Sequence, residues 1–254
     1  QLEIGVQSTN EKTLEAINRK TDIEKIAEIT EKIHHGGNIH QHLDLIAGLP
    51  YENYESFKRS FDQVDAMKPD QFQLGFLKVL KGSLMQKEAE VYGIVYKEKE
   101  PYEVLSTNWL TYGEVLKLKM VESMVEVYYN SGQFWHTLEY LVPFEKDAFT
   151  FYEKLGSFYE KKGYSEISHS RMRRYEILLE YLQEETDVPT EVAAQKMLYD
   201  LYLREKLKKR PSFAADQKPY ESAVWTYRKK HKISKTAHIE VFPDGTTILF
   251  DYEN

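Results

Sequence analysis

Two histidines and a carboxylate stand two residues apart within residues 39–50, IHQHLDLIAGLP. On a β-strand, His40, His42 and Asp44 would share one face, while the leucines between them point to the other. Imidazole and carboxylate groups together could bind a divalent metal ion. Alternatively, Asp44 alone could accept hydrogen bonds from the hydroxyl groups of a ligand. The pattern therefore leaves open a metal-dependent hydrolase site and a polar binding surface.

Position along the strand favours the second interpretation. Catalytic ligands of (β/α) barrels lie at the carboxyl ends of strands, whereas His40 lies at the start of this one. We therefore expect His40 and His42 to be polar fillers bonded to neighbours. Asp44 is nearer to the end of the strand, ahead of Gly48-Leu49-Pro50. A hydrolase using His40, His42 and Asp44 remains the alternative, and it would carry metal when purified.

The elements that position these side chains alternate between strand and helix. Apolar, strand-like runs occupy residues 2–8, 38–49 and 71–80, and amphipathic segments between them cover 11–19, 22–33 and 54–67. A capping box of Thr21 and Glu24 is expected to open the second helix. Such alternation predicts βαβ units and a parallel sheet that binds ligands at its carboxyl ends. The predicted fold is α/β, a partial (β/α) barrel with parallel strands.

The pattern changes after residue 107. Four amphipathic helical segments follow, and Asp244-Gly245 between two alternating runs predicts a terminal β-hairpin over 237–253. We therefore predict two domains, a half barrel at 1–107 and a mostly α-helical domain at 108–254 that ends in the hairpin. A non-catalytic helical interaction module is a second alternative for the function.

Composition excludes several classes of protein. The chain of 254 residues has no cysteine, which excludes disulfides, thiolate metal sites, a cysteine nucleophile and a cysteine-held iron–sulfur cluster within it. A net charge of -7 argues against a nucleic-acid partner. Apolar runs are too short to cross a membrane, and no signal peptide opens the chain. We expect a cytoplasmic protein with neither nucleic acid nor membrane as a partner.

Four segments in fixed order carry a resemblance to a known family. They are LEIGVQS, AINRKT, HLDLIAGLPYENYESF and PDQFQLGFLKVLKGS, and they span about residues 2–85. Together they resemble the second half of a radical S-adenosylmethionine (SAM) barrel. The nearest branches are the oxygen-independent coproporphyrinogen oxidases and the radical SAM proteins with a cobalamin-binding domain.

The resemblance implies roles for five residues. Gln7 and Asp44 would contact the SAM ribose, and Arg19 would bind the methionine carboxylate. Phe76 and Leu77 would lie nearest the adenine, on the strand that runs along it. Amide and carboxylate groups suit hydroxyls, and a guanidinium suits a carboxylate. No catalytic residue and no metal ligand is assigned to this chain.

One departure from the family is severe. Radical SAM enzymes hold a 4Fe-4S cluster on three cysteines in the first half of the barrel, and this chain has none. We therefore expect a fragment whose partner is the missing N-terminal half, with the cluster and, in one branch, cobalamin. The parent would be an Fe-S oxidoreductase that cleaves SAM reductively to a 5'-deoxyadenosyl radical, on an unknown substrate. The chain alone should be inactive and bind no cofactor.

A half barrel would also have an open edge. Strand one would neighbour the missing half, so its backbone groups invite pairing with another chain. We expect self-association around Leu2–Val6, dispersed by Val6→Lys, or capping of this edge by the terminal hairpin.

Overall fold

The computed structural model of the protein describes residues 1–234 and 236–252. These residues form two compact units. The first contains Gln1–Ser131 and Glu145–Ser165, and the second contains Gly132–Phe144 and the chain from Glu166 onward. The predicted boundary after residue 107 marks a change of secondary-structure type, and as a domain boundary it stays a prediction. The limits of the compact units differ from it because helices beyond residue 107 pack within the first unit.

A parallel sheet is the centre of the first unit. Its strands are β1 (Leu2–Gln7), β2 (Gln41–Ala47) and β3 (Gln71–Phe76), hydrogen-bonded in that order. Helices α1 (Glu11–Ala16) and α2 (Ile23–Gly36) connect β1 to β2, and α3 (Tyr54–Asp65) connects β2 to β3. The parallel sheet, its helices and the terminal hairpin confirm the predicted α/β fold class, and the partial barrel stays a prediction.

The expected capping box of α2 is wrong. Asp22 is the N-cap, and its side chain accepts a hydrogen bond from the backbone N–H of Lys25 at 3.0 Å. Aspartate caps a helix as well as threonine does, so the helix begins one residue later than expected. Gly37 ends it in the left-handed region, with a φ of 62°, as predicted.

The two faces of the sheet differ in character. One face is apolar and buried, and its side chains pack in the core: Val6, Leu43, Leu45, Phe72 and Leu74. The other face carries polar groups and glycines at positions that are half-buried or exposed: Glu3, Gly5, His42, Asp44, Gln71, Gln73 and Gly75. Parallel sheets are normally covered on both faces. The polar face therefore needs a further wall or a ligand.

The rest of the first unit is a small sheet and a helical layer. Its elements are α4 (Leu84–Lys87), β4 (Val95–Tyr96), β5 (Val104–Ser106), α5 (Tyr112–Met124), a π-helical segment (Val125–Asn130) and α7 (Ala148–Lys161). Helix α6 (Trp135–Leu141), between them in sequence, belongs to the second unit. Thr111 and Glu114 form the capping box that opens α5.

The outer edge of β3 is closed by a side chain. Asn130, the last residue of the π-helical segment, accepts from the N–H of Phe72 and donates to its carbonyl, both at 2.8 Å. The amide thus satisfies the two backbone groups that a fourth strand would use there. Covering an edge in this way prevents pairing with other chains. Within the described part of the chain, no strand pairs with the outer edge of β1.

The second unit contains helices and the hairpin. Besides α6 it comprises α8 (Arg171–Glu185), α9 (Thr190–Arg204), α10 (Glu221–Lys230), β6 (His238–Val241) and β7 (Thr247–Phe250). Gly245 takes the turn position with a φ of 85°, as the Asp-Gly pair predicts. The hairpin packs its Phe242 and Phe250 against Leu198 and Tyr202 of α9. Residue 253, at the predicted end of the hairpin, lies outside the described residues.

Two expectations about the open edge need correction. Among the strands that the structure describes, β6 and β7 pair with each other alone, so the expected pairing of the hairpin with β1 is wrong. Val6 is fully buried on the apolar face. Val6→Lys would therefore place a charge in the core and unfold the unit instead of dispersing an edge contact. Leu2, which is 39% exposed, is the residue to change.

Across residues 1–234 and 236–252, every helix is too short or too polar to span a bilayer.

Gly48, directly after β2, tests how the first unit is packed. Its φ is +86°, and a Cβ there would lie 2.7 Å from Val104 Cγ1. Gly48→Ala should lower the free energy of unfolding by about 2 to 4 kcal/mol, through backbone strain and overpacking. Gly113→Ala, in a helical turn with open space around it, should be neutral or stabilising by up to about 1 kcal/mol. Urea unfolding of both variants measures the difference, and equal stabilities would contradict the packing.

Candidate functional site

A β-bulge at the end of β1 turns Gln7 toward β2. Gly5 pairs with Asp44 and Gln7 pairs with Leu45, so Val6 is the additional residue. Gln7 has a φ of 67°, a conformation that is uncommon for residues other than glycine. Bulges recur next to active sites because they change the direction of a side chain. Here the bulge allows the Gln7 amide to reach the polar face.

The Asp44 carboxylate receives two hydrogen bonds from Gln7. The side-chain Nε2 of Gln7 donates to Oδ1 at 2.8 Å, and its backbone N–H donates to the same oxygen at 3.4 Å. In the part of the chain described, no group donates to Oδ2. Burial raises the pKa of the Asp44 carboxyl, while the hydrogen bonds from Gln7 and the charge of Arg19 oppose this rise. Asp44 therefore keeps one oxygen available for an incoming donor.

Arg19 reaches the same place from the end of α1. Asn18 takes a left-handed conformation, with a φ of 54°, and the Arg19 N–H then donates to the Leu14 carbonyl at 2.9 Å. This turn ends the helix and sends the Arg19 side chain over β1. A Cβ on Gly5 would lie 3.4 Å from the guanidinium Nη1 and 2.9 Å from Gln7 Nε2. The glycine thus leaves the space that the two side chains use.

Three of the five residues that the family resemblance singles out are therefore neighbours. Gln7, Arg19 and Asp44 place an amide, a guanidinium and a carboxylate around Gly5 on the polar face. The arrangement can hold a polar ligand that carries both hydroxyl and carboxylate groups.

Phe76 ends β3, and Leu77 follows it. Both are mainly buried, with 9% and 7% of their surfaces exposed. Phe76 pairs with Ala47 and so follows the apolar face, and Lys119 Nζ lies 4.0 Å from the centre of its ring. The Leu77 backbone is bonded on both sides, to the Ala47 carbonyl and the Val104 N–H. Their assigned place along the adenine stays a prediction.

The two histidines differ from their predicted role. His40 is exposed and precedes the first residue of β2, whereas His42 lies on the polar face beside Asp44. Both ring nitrogens of His42 are buried without a hydrogen-bond partner, so it is not a filler bonded to neighbours. Among the residues that the structure describes, no three His, Cys, Asp or Glu side chains could together hold a metal ion. The geometry does not support the hydrolase alternative with His40, His42 and Asp44.

Sequence reasoning missed a buried carboxyl group behind this site. Glu52, two residues after Pro50, is 1% exposed and accepts from the Ser8 hydroxyl at 2.9 Å and the Ser60 hydroxyl at 3.1 Å. The Ser60 hydroxyl also accepts from the Thr9 N–H at 3.1 Å. These bonds tie the chain after β1 to the chain after β2 and to α3. The sequence does carry one indication of a buried polar contact, because Ser60 lies among the apolar residues Phe57 and Phe61 on the buried face of α3.

Burial raises the pKa of the Glu52 carboxyl to about 7, against an ordinary value of 4.5. The serine hydrogen bonds and the charge of Arg59 oppose this shift but do not cancel it. Its second oxygen, Oε2, is buried without a partner. In the folded protein this carboxyl is therefore partly protonated near neutral pH.

A family model matches more than half of the chain. Residues 90–245 match a family model described as "Protein of unknown function (DUF4080)". A 99-residue stretch, 39% of the chain and 23% of the relative, is 27% identical to a probable threonylcarbamoyladenosine tRNA methylthiotransferase of Pyrococcus horikoshii.

A solved structure is also similar. It is the coproporphyrinogen III oxidase of Escherichia coli, described as a radical SAM enzyme, with 20% identity and a TM-score of 0.36 over 49% of this chain and 26% of that one. The chain thus spans about a quarter of the length of both relatives. The resemblance to radical SAM proteins rests on the four sequence motifs, and the description of this solved structure names the same class.

Glu52 predicts a pH dependence of stability. Because its pKa is raised in the folded state, its stabilising contribution is complete below about pH 4.5 and is lost as the pH rises through about 7. Two and a half pKa units correspond to about 3 kcal/mol. Glu52→Gln should abolish this part of the fall in unfolding free energy between pH 5 and 8, as measured by urea unfolding. Glu55→Gln, at an exposed position on α3, should retain it. Parallel pH profiles for wild type and Glu52→Gln would contradict the assignment.

Proposed function

The chain belongs to the family described as proteins of unknown function (DUF4080), and we propose that its first unit is the SAM-contacting half of a radical SAM enzyme. The observation that carries the proposal is the convergence of Gln7, Arg19 and Asp44 around Gly5. In this proposal residues 1–107 complete a partial barrel, and the polar face of the sheet is its interior.

Asp44 and Gln7 would bind the ribose. The free Oδ2 of Asp44 can accept a hydrogen bond from one ribose hydroxyl, while Oδ1 stays bonded to Gln7 Nε2 at 2.8 Å. The Gln7 side-chain carbonyl can accept from the other hydroxyl. The existing bond between the two residues holds both in position before the ligand arrives, which lowers the entropy cost of binding.

Arg19 would bind the methionine carboxylate. Its guanidinium lies over Gly5. Two parallel N–H groups of the guanidinium could donate to the two oxygens of the carboxylate. The backbone at Phe76 and Leu77, instead of their buried side chains, would form the edge along the adenine. Bound SAM, beside a reduced 4Fe-4S cluster, would supply a 5'-deoxyadenosyl radical by reductive cleavage.

The residues of this chain do not fit the cluster itself. Thiolates are the ligands that such clusters require, and the sequence contains no cysteine. The cluster would be held by a preceding half barrel, as a partner or as part of a longer protein. That half would pair with the outer edge of β1 and face the polar side of the sheet, where His42 has two ring nitrogens without partners. The chain alone would be inactive.

Substitutions at Asp44 and Arg19 should show which end of SAM each residue binds. In the protein joined to its cluster-binding half, Asp44→Ala should weaken binding of SAM and of 5'-methylthioadenosine alike, by about 1 to 3 kcal/mol. Arg19→Ala should weaken SAM but not methylthioadenosine, which has no carboxylate. Titration calorimetry measures both affinities. His40→Ala is the control and should change neither, and a larger effect of His40 than of Asp44 would overturn the proposal.

The open edge makes a prediction for the chain alone. It should sediment as a dimer or larger species at about 100 μM, because hydrogen-bonding groups along β1 lack a neighbouring strand. Leu2→Lys should disperse the species, since a charged side chain at an edge opposes pairing. Ile167→Lys, which changes another exposed apolar residue, should have no effect. A monomeric wild type would show that this edge does not pair.

A further inference from the structure

A cavity of about 500 Å³ lies in the second unit. Its walls come from α9, the β6–β7 hairpin and the start of α6. The lining residues are His136, Val192, Gln195, Lys196, Tyr199, Phe242, Asp244, Thr246 and Ile248. This volume is within the range of sites for small molecules.

A buried carboxylate fixes the orientation of the histidine in this cavity. Asp200, which is 4% exposed, has its Oδ1 2.7 Å from His136 Nδ1. The same carboxylate accepts from the backbone N–H groups of His136 and Thr137, at 3.1 and 2.9 Å, and from the Thr137 hydroxyl at 2.7 Å. Asp200 thus holds the first turn of α6 and the imidazole in one network.

The network also determines which ring nitrogen carries a proton. An ionised carboxylate only accepts hydrogen bonds, so His136 Nδ1 must be the donor to Asp200. Nε2 is then left to face other groups, and in the described chain it has no hydrogen-bond partner. The His136 side chain is 34% exposed, and the ring of Tyr199 packs edge-on against it with centroids 4.7 Å apart. The imidazole is therefore both fixed and accessible.

A cation and apolar side chains complete the cavity. Lys196, one turn before Asp200 on α9, is exposed and makes no salt bridge within the described residues. The charge of Lys196 contributes to the lowered pKa of the Asp244 carboxyl, whose main cause is the hydrogen bonds with Thr246. Phe242 and Ile248 of the hairpin segment are apolar, and so is Val192, one turn before Lys196 on α9.

We propose that this cavity binds a small organic anion, with its carboxylate or phosphate between Lys196 Nζ and His136 Nε2, which takes up a proton with the ligand and donates to it, and with its apolar part against Phe242 and Ile248. The geometry accounts for each group: a free ammonium, an imidazole oriented by a buried carboxylate and an apolar wall. An adjoining cavity of about 370 Å³ shares Val192, Gln195 and Phe242 with the first. It gives the apolar part of a longer ligand room to extend toward Leu198 and Phe213.

The test follows the His136 ring by NMR in the full chain with labelled histidine, assigned by comparison with His136→Gln. The free protein should show the Nδ1–H tautomer. Phenyl phosphate and phenylacetate are the probes, and one or both should shift the ring signals saturably with about millimolar affinity. Whichever binds identifies the anionic group. Inorganic phosphate and benzyl alcohol, each lacking one half of the proposed ligand, should bind at least about ten-fold more weakly.

Matched lysine variants give the decisive comparison. Lys196→Met should weaken the binding probe at least about ten-fold, whereas Lys208→Met, at an exposed position outside the cavity, should not change it. The proposal is overturned if neither anion moves the His136 signals, if benzyl alcohol binds as well as the anions, or if both lysine variants behave alike. SAM binding to the first unit should not be affected by any of these changes, so the two proposals fail independently.

Discussion

The first unit depends on a parallel sheet that has one apolar, buried face and one polar face that is half-buried or exposed. The apolar face of β1, β2 and β3 is buried, while the opposite face carries Asp44, His42 and two glycines. Apolar burial on one side supplies the stability that allows polar and strained groups to persist on the other. The bulge at Val6, the left-handed Gln7 and the buried Glu52 all sit at the carboxyl ends of these strands or directly behind them. Chemistry and strain are thus concentrated where packing is not required to fill space.

Local patterns predicted much of this arrangement. Apolar periodicity was enough to give the order of strands and helices in the first third of the chain, because each element must bury one face. The Asp-Gly turn was enough for the hairpin. Strand parity also placed His42 and Asp44 on one face, since side chains alternate whatever the tertiary context. The family motifs also singled out Gln7, Arg19 and Asp44, which lie together around Gly5.

Contacts between distant segments were not predictable in the same way. Nothing near Glu52 in the sequence indicates that Ser8, 44 residues earlier, donates to it. Asp200 and Thr137 are separated by 63 residues, so the oriented His136 could not be inferred from its neighbours. Strand parity places Phe76 on the apolar face, and its contact with the adenine stays a prediction. Burial decides such cases, and burial depends on the folded chain.

The contact between Asn130 and Phe72 also has a consequence for the protein during its synthesis. The two residues are 58 positions apart, so β3 leaves the ribosome well before the amide that covers its edge. During that interval both outer strands of the nascent sheet can pair with other chains. Exposed edges of partly made domains are where aggregation begins. A translational pause between residues 76 and 130 would prolong the vulnerable period, whereas rapid elongation through the π-helical segment would shorten it.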